Sequence, residues 1–411
     1  MAPVRDQLGV RRFLSRRVIV LGSLFYIVLL FSIWVSYLLI IKTDGTEKGL
    51  SVDYLAYYSG STLALRGEPA AAYDTERILE EQRNWTGEDQ VYAWLYPPPF
   101  FFIVLPLALL PLVASVIAWF GVTTAFLLSA LRRINNDRAV LFLALAFPAT
   151  LGNFIVGQNG MLTAAVLGWG LILLHDRPRM AGLLLGCLIY KPHFFPLIPI
   201  ALWAGGHRAA AISTVASAAG LCLASLAVFG LDSWSAFVST TLERSDLIYT
   251  DAFPIAKMQS VTGLLLALGA SPLATKAVQA VVALACVGFV QWLWRRDGVS
   301  PEYRFAGLTL AILLASPYSF QYDLTLMGLA ALWLGVSFQR QTWRRWDAEV
   351  LLLAFLTPVL TLLAARFIGI TIGPFVLVLL LLVLLRRVRG APSGDSAFQE
   401  PLVQPAIQPA L

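Results

Sequence analysis

The sequence predicts an all-α, polytopic helical membrane protein of about twelve transmembrane or half-membrane helices. Hydrophobic residues make up 58% of the 411 positions and charged residues only 13%, against about 25% charged in a soluble domain. Several apolar runs approach the roughly 20 residues that carry a helix across a bilayer. Arginines gather at the ends of these runs, as in Arg16-Arg17, Arg132-Arg133, Arg295-Arg296, Arg344-Arg345 and Arg386-Arg387, which is how topology determinants are distributed. The short alternating segments of an outer-membrane barrel are absent.

Residues 1–17 read as a basic cytoplasmic N-terminus. The apolar run Val18 to Ile41 is longer than a signal-peptide core and ends without a small-x-small cleavage site, so it reads as a retained first span. A polar stretch, Lys42 to Tyr96, follows as the first extracytoplasmic loop (42–98). The block Pro99 to Leu131, interrupted by Pro106 and Pro111, reads as a short interfacial entry and one span. Further spans are expected near 139–151, 160–174, 180–190, 196–204 and 209–229. After a second large extracytoplasmic loop (230–272) they continue near 273–294, 303–316, 324–338, 348–364 and 371–386. Residues 18–389 thus form one membrane domain, and 390–411 read as a disordered cytoplasmic tail rich in Pro, Gln, Ala and Ser.

With both termini inside, most of the 30 lysines and arginines fall in the short cytoplasmic segments, in accord with the positive-inside rule. The net charge of +6 is therefore an orientation signal, and no nucleic-acid partner is expected. Cys187, Cys222 and Cys286 lie inside apolar runs and suggest neither disulfides nor a metal site. No phosphate-binding loop, dinucleotide fingerprint, zinc motif or nucleophile elbow is present. No cofactor or metal is expected, and no cytoplasmic domain is large enough to hold a nucleotide sugar.

The candidate chemistry lies at breaks between apolar runs. Asp53 is followed by Tyr54, Tyr57 and Tyr58. If this stretch is helical, Asp53 and Tyr57 share a face. The acid reads either as a solvated loop or capping carboxylate, or as a general base tuned by burial against aromatics. Asp74 reads as the cap of a helix starting at Thr75, with Glu76, Glu80 and Glu81 on a solvated face. Gly157-Gln158-Asn159-Gly160 is a turn by its chemistry, with amides suited to sugar hydroxyls.

Lys191-Pro192-His193 interrupts the 180–204 hairpin at mid-run. Ionisable groups at such depth are functional candidates. Lys191 and His193 read as an anion site for a phosphate facing a cavity, unless Lys191 snorkels to the interface. Arg244, or Lys257, could join them. In the last break, Ser316 to Asp323, Asp323 either lines the cavity or caps the helix beginning at Leu324.

In order along the chain, Asp53-Tyr54 with Tyr57-Tyr58, Gly67-Glu68-Pro69, Tyr73-Asp74, Tyr96-Pro97-Pro98, Gly157-Gln158-Asn159, Ala181-Gly182, Lys191-Pro192 and Ser316-Pro317 with Asp323 resemble glycosyltransferase family 87. This family includes polyprenyl-phosphate-mannose-dependent α-mannosyltransferases. The resemblance implies a C-type glycosyltransferase (GT-C) architecture with the catalytic acid in the first extracytoplasmic loop, a position occupied by Asp53. It implies a polyprenyl-phosphate sugar donor, a lipid or glycan acceptor and an extracytoplasmic active site in a bacterial inner membrane. Where close family members carry histidine after the Ser-Pro, this chain has Gln321, Tyr322 and Asp323.

The expected function is therefore transfer of a hexose, mannose first among candidates, with inversion. Asp53 is the base, Lys191, His193 and Arg244 contact the donor phosphate, and Tyr54, Tyr57, Tyr58, Gln158, Asn159, Gln321, Tyr322 and Asp323 contact sugar or acceptor. The alternative is a transporter or flippase for a lipid-linked substrate, which the missing internal repeat disfavours.

Overall fold

The computed structural model describes residues 20–25, 28, 53–86, 90–249 and 255–389. The cytoplasmic N-terminus, most of the predicted first span and the 390–411 tail lie outside the described residues. Within them the chain is helical, and its sole strand-like feature is an isolated bridge between Met258 and Phe320.

Two helices form the first loop, α1 (Tyr54–Leu65) and α2 (Thr75–Thr86). Asp74 caps α2 as expected, accepting from Glu76 N at 2.8 Å and Arg77 N at 3.1 Å. Glu81 departs from the predicted solvated face. It is 3% exposed and paired with Arg66 at 2.6 Å, because α2 turns that side onto α1.

The apolar segment Pro98–Leu109 leads into α3 (Leu112–Ile134). Then come α4 (Arg138–Leu145), α5 (Pro148–Val156), α6 (Gly160–Ile172), α7 (Pro178–Gly186), α8 (Leu197–Ala204) and α9 (Arg208–Leu247). The second half holds α10 (Val261–Ala267), α11 (Pro272–Arg295), α12 (Pro301–Ala315), α13 (Thr325–Arg340), α14 (Asp347–Phe367) and α15 (Gly373–Arg389).

Among the described residues, four helices are long and apolar enough to cross a membrane: α3, α9, α11 and α14. A fifth is added if α4 and α5, bent by 48° at their junction, form one span. The remaining apolar segments are shorter than the twelve-helix expectation needs for full crossings. A 15-residue helix such as α12 rises only about 22 Å, less than the roughly 30 Å hydrocarbon core.

The segment predicted as the loop 230–272 is largely helical. Helix α9 continues past a kink at Gly230 (φ 77°, ψ 167°) to Leu247. Its outer half covers the first loop, where Phe237 meets Tyr73 at 6.1 Å between ring centroids and Thr240 reaches the Tyr73 carbonyl.

The short helices form the interior and the long ones the periphery. Helix α12 is buried on nearly every side and contacts α11, α13 and α15. Helices α3, α9, α11 and α14 instead expose large apolar side chains, including Val113 (72%), Leu223 (67%), Leu284 (70%) and Leu362 (49%). An apolar surface of that extent belongs against lipid. Close packing of α7 on α9 depends on small residues, as is common between membrane helices. A Cβ at Gly182 would lie 2.6 Å from Ser213 Cβ, and one at Gly186 would lie 2.5 Å from Ser217 Cβ.

The arginine-rich helix ends meet one another. Arg340 pairs with Glu302 at 2.6 Å, Arg304 bonds the Arg296 carbonyl, and Arg386 and Arg387 both hold buried Asp347. This charge belt marks one end of the bundle. The breaks between short helices gather elsewhere, around the first loop.

Candidate active site

The cluster is built on the turn after α5. Gly157 ends α5 in the left-handed conformation (φ 81°), and a Cβ there would lie 2.5 Å from Tyr54 Cβ. Glycine therefore lets the start of α1 sit directly on this turn. Asp53 N donates to the Val156 carbonyl at 2.9 Å, which fixes the acid beside Gln158.

Gln158 Nε2 donates to Asp53 Oδ2 at 2.9 Å. Gln158 Oε1 accepts from the Tyr57 hydroxyl at 2.8 Å and from the Tyr96 hydroxyl at 3.0 Å, and these two hydroxyls lie 3.0 Å apart. The carboxyl of Asp53 is raised above its ordinary 3.8, because burial penalises its charge. The Gln158 bond and the positive charge of Lys257 offset part of that rise.

The second half of the cluster comes from the breaks after α7 and α12. Lys191 is 3% exposed and pairs with Asp323, which is 1% exposed. The ammonium also lies 5.2 Å from the ring centroids of Phe194 and Tyr322. Asp323 accepts from Phe320 N at 2.9 Å through its other oxygen, so it caps the 3₁₀ turn and pairs with lysine at once. Lys191 is thus enclosed in a buried pair, where an exposed cavity was expected. Such a pair is held because each charge would be costly alone.

Asn153, which the sequence reading passed over, ties the halves together. Its Nδ2 lies within hydrogen-bonding distance of the carbonyls of Ala149 (2.8 Å) and Tyr322 (3.1 Å) and of Thr325 Oγ1 (2.9 Å). Its Oδ1 accepts from Gly160 N at 2.7 Å. The available signal was an amide amid an apolar run. Tyr96 was quoted only as part of a motif, yet its hydroxyl bonds Gln158 beside Asp53. Tyr96 and Tyr322 each feel the charges of both Asp53 and Asp323. Asp53 and the Lys191–Asp323 pair therefore share one polar core.

Other expected site residues have different surroundings. Tyr54 bonds Ser115, and Tyr58 donates to the Leu110 carbonyl at 2.8 Å; both hydroxyls anchor α1 to the start of α3. Gln321 donates to the Pro358 carbonyl at 2.7 Å. Arg244 bonds Thr75 Oγ1 at 3.4 Å, on the first loop. His193 packs against Phe194 and Tyr318, with its buried Nε2 unpartnered. Asn159 is fully buried beside the Tyr96 hydroxyl, yet neither amide atom has a partner at hydrogen-bonding geometry. Leaving such a group unsatisfied costs about 1–3 kcal/mol. Lys257 is exposed, and its segment is fastened to the last break by the Met258–Phe320 bridge and by Gln259 N donating to the Ser319 carbonyl at 2.7 Å.

Among the described residues, no group of three or more His, Cys, Asp or Glu could hold a metal ion. A groove of about 600 Å³ lies between α8, α9 and α11, lined by Trp203, Ile212, Val215 and Arg295. It contains no acid and none of the polar cluster.

An acid in a polar core of broken helices, enclosed by long apolar helices, suits a membrane-embedded enzyme or a transporter, and the family decides between them: the class is that of a membrane glycosyltransferase. The family model described as glycosyltransferase family 87 matches residues 94–317, more than half of the chain, and the chain belongs to that family. The matched region includes Gln158, Asn159, Lys191 and Lys257, whereas Asp53 and Asp323 lie outside it. No curated protein and no solved structure matches the chain.

Proposed function

We propose that this glycosyltransferase moves a hexose, mannose in the first instance, from a polyprenyl-phosphate donor to a glycolipid or glycan acceptor at the extracytoplasmic face of a bacterial inner membrane, with Asp53 as general base. The observation that carries this reading is the half-buried Asp53 carboxylate, with one oxygen held by Gln158. The C-type architecture, with broken helices forming the site, belongs to the same reading.

In the reaction the acceptor oxygen attacks C1 of the sugar from the face opposite the phosphate. Asp53 takes the hydroxyl proton as the O–C1 bond forms. The C1–O bond to phosphate breaks, and the electron pair leaves on polyprenyl phosphate, so the configuration at C1 inverts. The proton then passes from Asp53 to water. Raising a carboxylate toward neutrality suits it to this task.

The leaving phosphate gains negative charge and needs a cation. Lys191 already has Asp323 as its counter-charge, so a phosphate reaching it competes with a carboxylate in place. Lys257 is exposed, fastened to the last break, and close enough for its charge to act on Asp53. We assign it the phosphate contact, with His193 and Asn159 as hydrogen-bonding partners of the donor and Lys191–Asp323 as the pin holding two breaks together. Arg244, bonded to the first loop, contacts acceptor rather than donor in this scheme.

The test is transfer by purified protein in liposomes, given labelled polyprenyl-phosphate mannose or glucose and a membrane extract as acceptor source. Labelled product from a lipid-linked hexose, and none from nucleotide sugars, is expected. Transfer from a nucleotide sugar alone would reject the donor assignment.

A further inference from the structure

We infer that Gln158 is a positioning residue for Asp53: its amide, oriented by the Tyr57 and Tyr96 hydroxyls, holds one carboxylate oxygen and leaves the other to take the acceptor proton. This rests on Asp53 being the base. It changes the part expected of Gln158 from a sugar ligand to a support of the acid.

The bonding capacity of the amide is decisive. A glutamine oxygen accepts at two sites and its nitrogen donates two hydrogens. Both oxygen sites are met by tyrosine hydroxyls, at 2.8 and 3.0 Å, and one N–H is given to Asp53 Oδ2 at 2.9 Å. One N–H remains, too little for a sugar hydroxyl to be gripped in both senses. Turning the amide over would set its oxygen against an ionised carboxylate oxygen, so with Asp53 charged only one orientation is stable.

The surroundings make the arrangement stiff. Gln158 is 8% exposed and Tyr57 fully buried. Tyr57 packs edge-on against Tyr96, Phe100 and Trp119, with ring centroids 5.3–5.4 Å apart. Asp53 and Gln158 share one turn, because Asp53 N bonds the Val156 carbonyl. Acid and amide therefore move together, and the only soft coordinate left to Asp53 is rotation of its side chain, which the amide removes. Misplacing a catalytic group by about 1 Å costs ~100-fold.

The charged and titratable groups around Asp53 are Lys257 from the outer segment and the phenols of Tyr57, Tyr96 and Tyr322, the last two also feeling the charge of Asp323 in its pair with Lys191. All are left intact when Gln158 alone is changed. Loss of its donated bond then removes one of the two influences that favour the ionised acid.

The experiment compares wild type, Gln158→Leu, Tyr96→Phe and Asp53→Asn for kcat, KM and pH profile with labelled polyprenyl-phosphate mannose and a membrane extract as acceptor source. Gln158→Leu is expected to lower kcat by roughly 10- to 100-fold, leave donor KM within about twofold, and move the acid limb of the profile to higher pH. Tyr96→Phe keeps the ring contacts, so it tests the same point if the leucine variant fails to fold. It should shift the limb in the same direction by less. A rise in KM with kcat and acid limb unchanged would overturn the inference and return Gln158 to sugar binding. If Asp53→Asn is inactive while Gln158→Leu and Tyr96→Phe match wild type, the positioning role fails and the base survives. If Asp53→Asn is fully active, the base assignment itself fails.

Discussion

Asp53 depends on partners that come from distant parts of the chain. Gln158 holds one oxygen, Lys257 supplies a favourable field, and burial works against both. Since the base must be ionised, activity should fall as pH drops through its raised pKa. The acid limb should therefore lie above the 3.8 of an ordinary aspartate, as a pH profile of kcat/KM would check. Lys257→Gln removes a charge that lowers this pKa, so it should move the limb upward and also raise donor KM. An unchanged profile with unchanged KM would take Lys257 out of the site. At this scale the sequence marked Lys191 because charge is rare in apolar sequence, Asp323 because it stands at a break between two apolar runs, and Asp53 because tyrosines flank it and its place matches the acid that the family resemblance implies. It was silent on Asn153 and gave Tyr96 only as part of a motif, and the roles of both depend on which carbonyls and amides the fold brings within about 3 Å. The pairing of Lys191 with Asp323, 132 positions apart, was equally beyond any spacing rule.

Short elements hold the cluster, and their glycines are the sensitive points. Gly157 combines positive φ with a Cβ clash against Tyr54, whereas Gly67 has φ 84° and open space around it. Gly67→Ala should cost only the backbone term, about 1–3 kcal/mol. Gly157→Ala should cost more and also reduce activity, because α1 must lift off the turn that carries Gln158. Thermal unfolding and transfer assays of the two variants would separate the contributions. At the other end of the bundle, Asp347 is fully buried between Arg386 and Arg387 and accepts from Arg344 N at 2.7 Å. Asp347→Ala leaves Arg387 buried without its partner, for an expected loss of about 3–5 kcal/mol in detergent-solubilised protein. Helix positions were legible because apolar runs and Pro or Gly punctuation coincide with them, as at Leu112–Ile134 and Pro272–Arg295. The continuation of α9 beyond Gly230 was not, since its polar outer half reads like a loop until Phe237 and Thr240 are seen against Tyr73.

Among the described residues, four long apolar helices surround an interior of short ones, and this division shelters a polar core from the apolar surface. Backbone that is not helical is tolerated at membrane depth only when buried in protein or lining a cavity. The breaks at 157–160, 191–196 and 316–323 meet that condition by bonding one another and the first loop. Helix α9, at 40 residues, would extend about 60 Å if straight, twice the hydrocarbon core, so its outer half reaches the first loop from the arginine-rich end. The proposed extracytoplasmic site requires α2 to lie outside the cell membrane and Arg133 inside. In a variant lacking Cys187, Cys222 and Cys286, cysteine at Glu80 should react with an impermeant maleimide in intact cells, and cysteine at Arg133 only after permeabilisation. The reverse pattern would invert the topology and remove the site from the extracytoplasmic face. The most direct check on Asp53 as the base is the transfer rate of Asp53→Asn in liposomes with labelled polyprenyl-phosphate mannose, in protein whose thermal unfolding matches wild type. A loss of about 100-fold or more with donor binding retained is expected; an Asp53→Asn protein that transfers sugar at the wild-type rate would contradict the assignment.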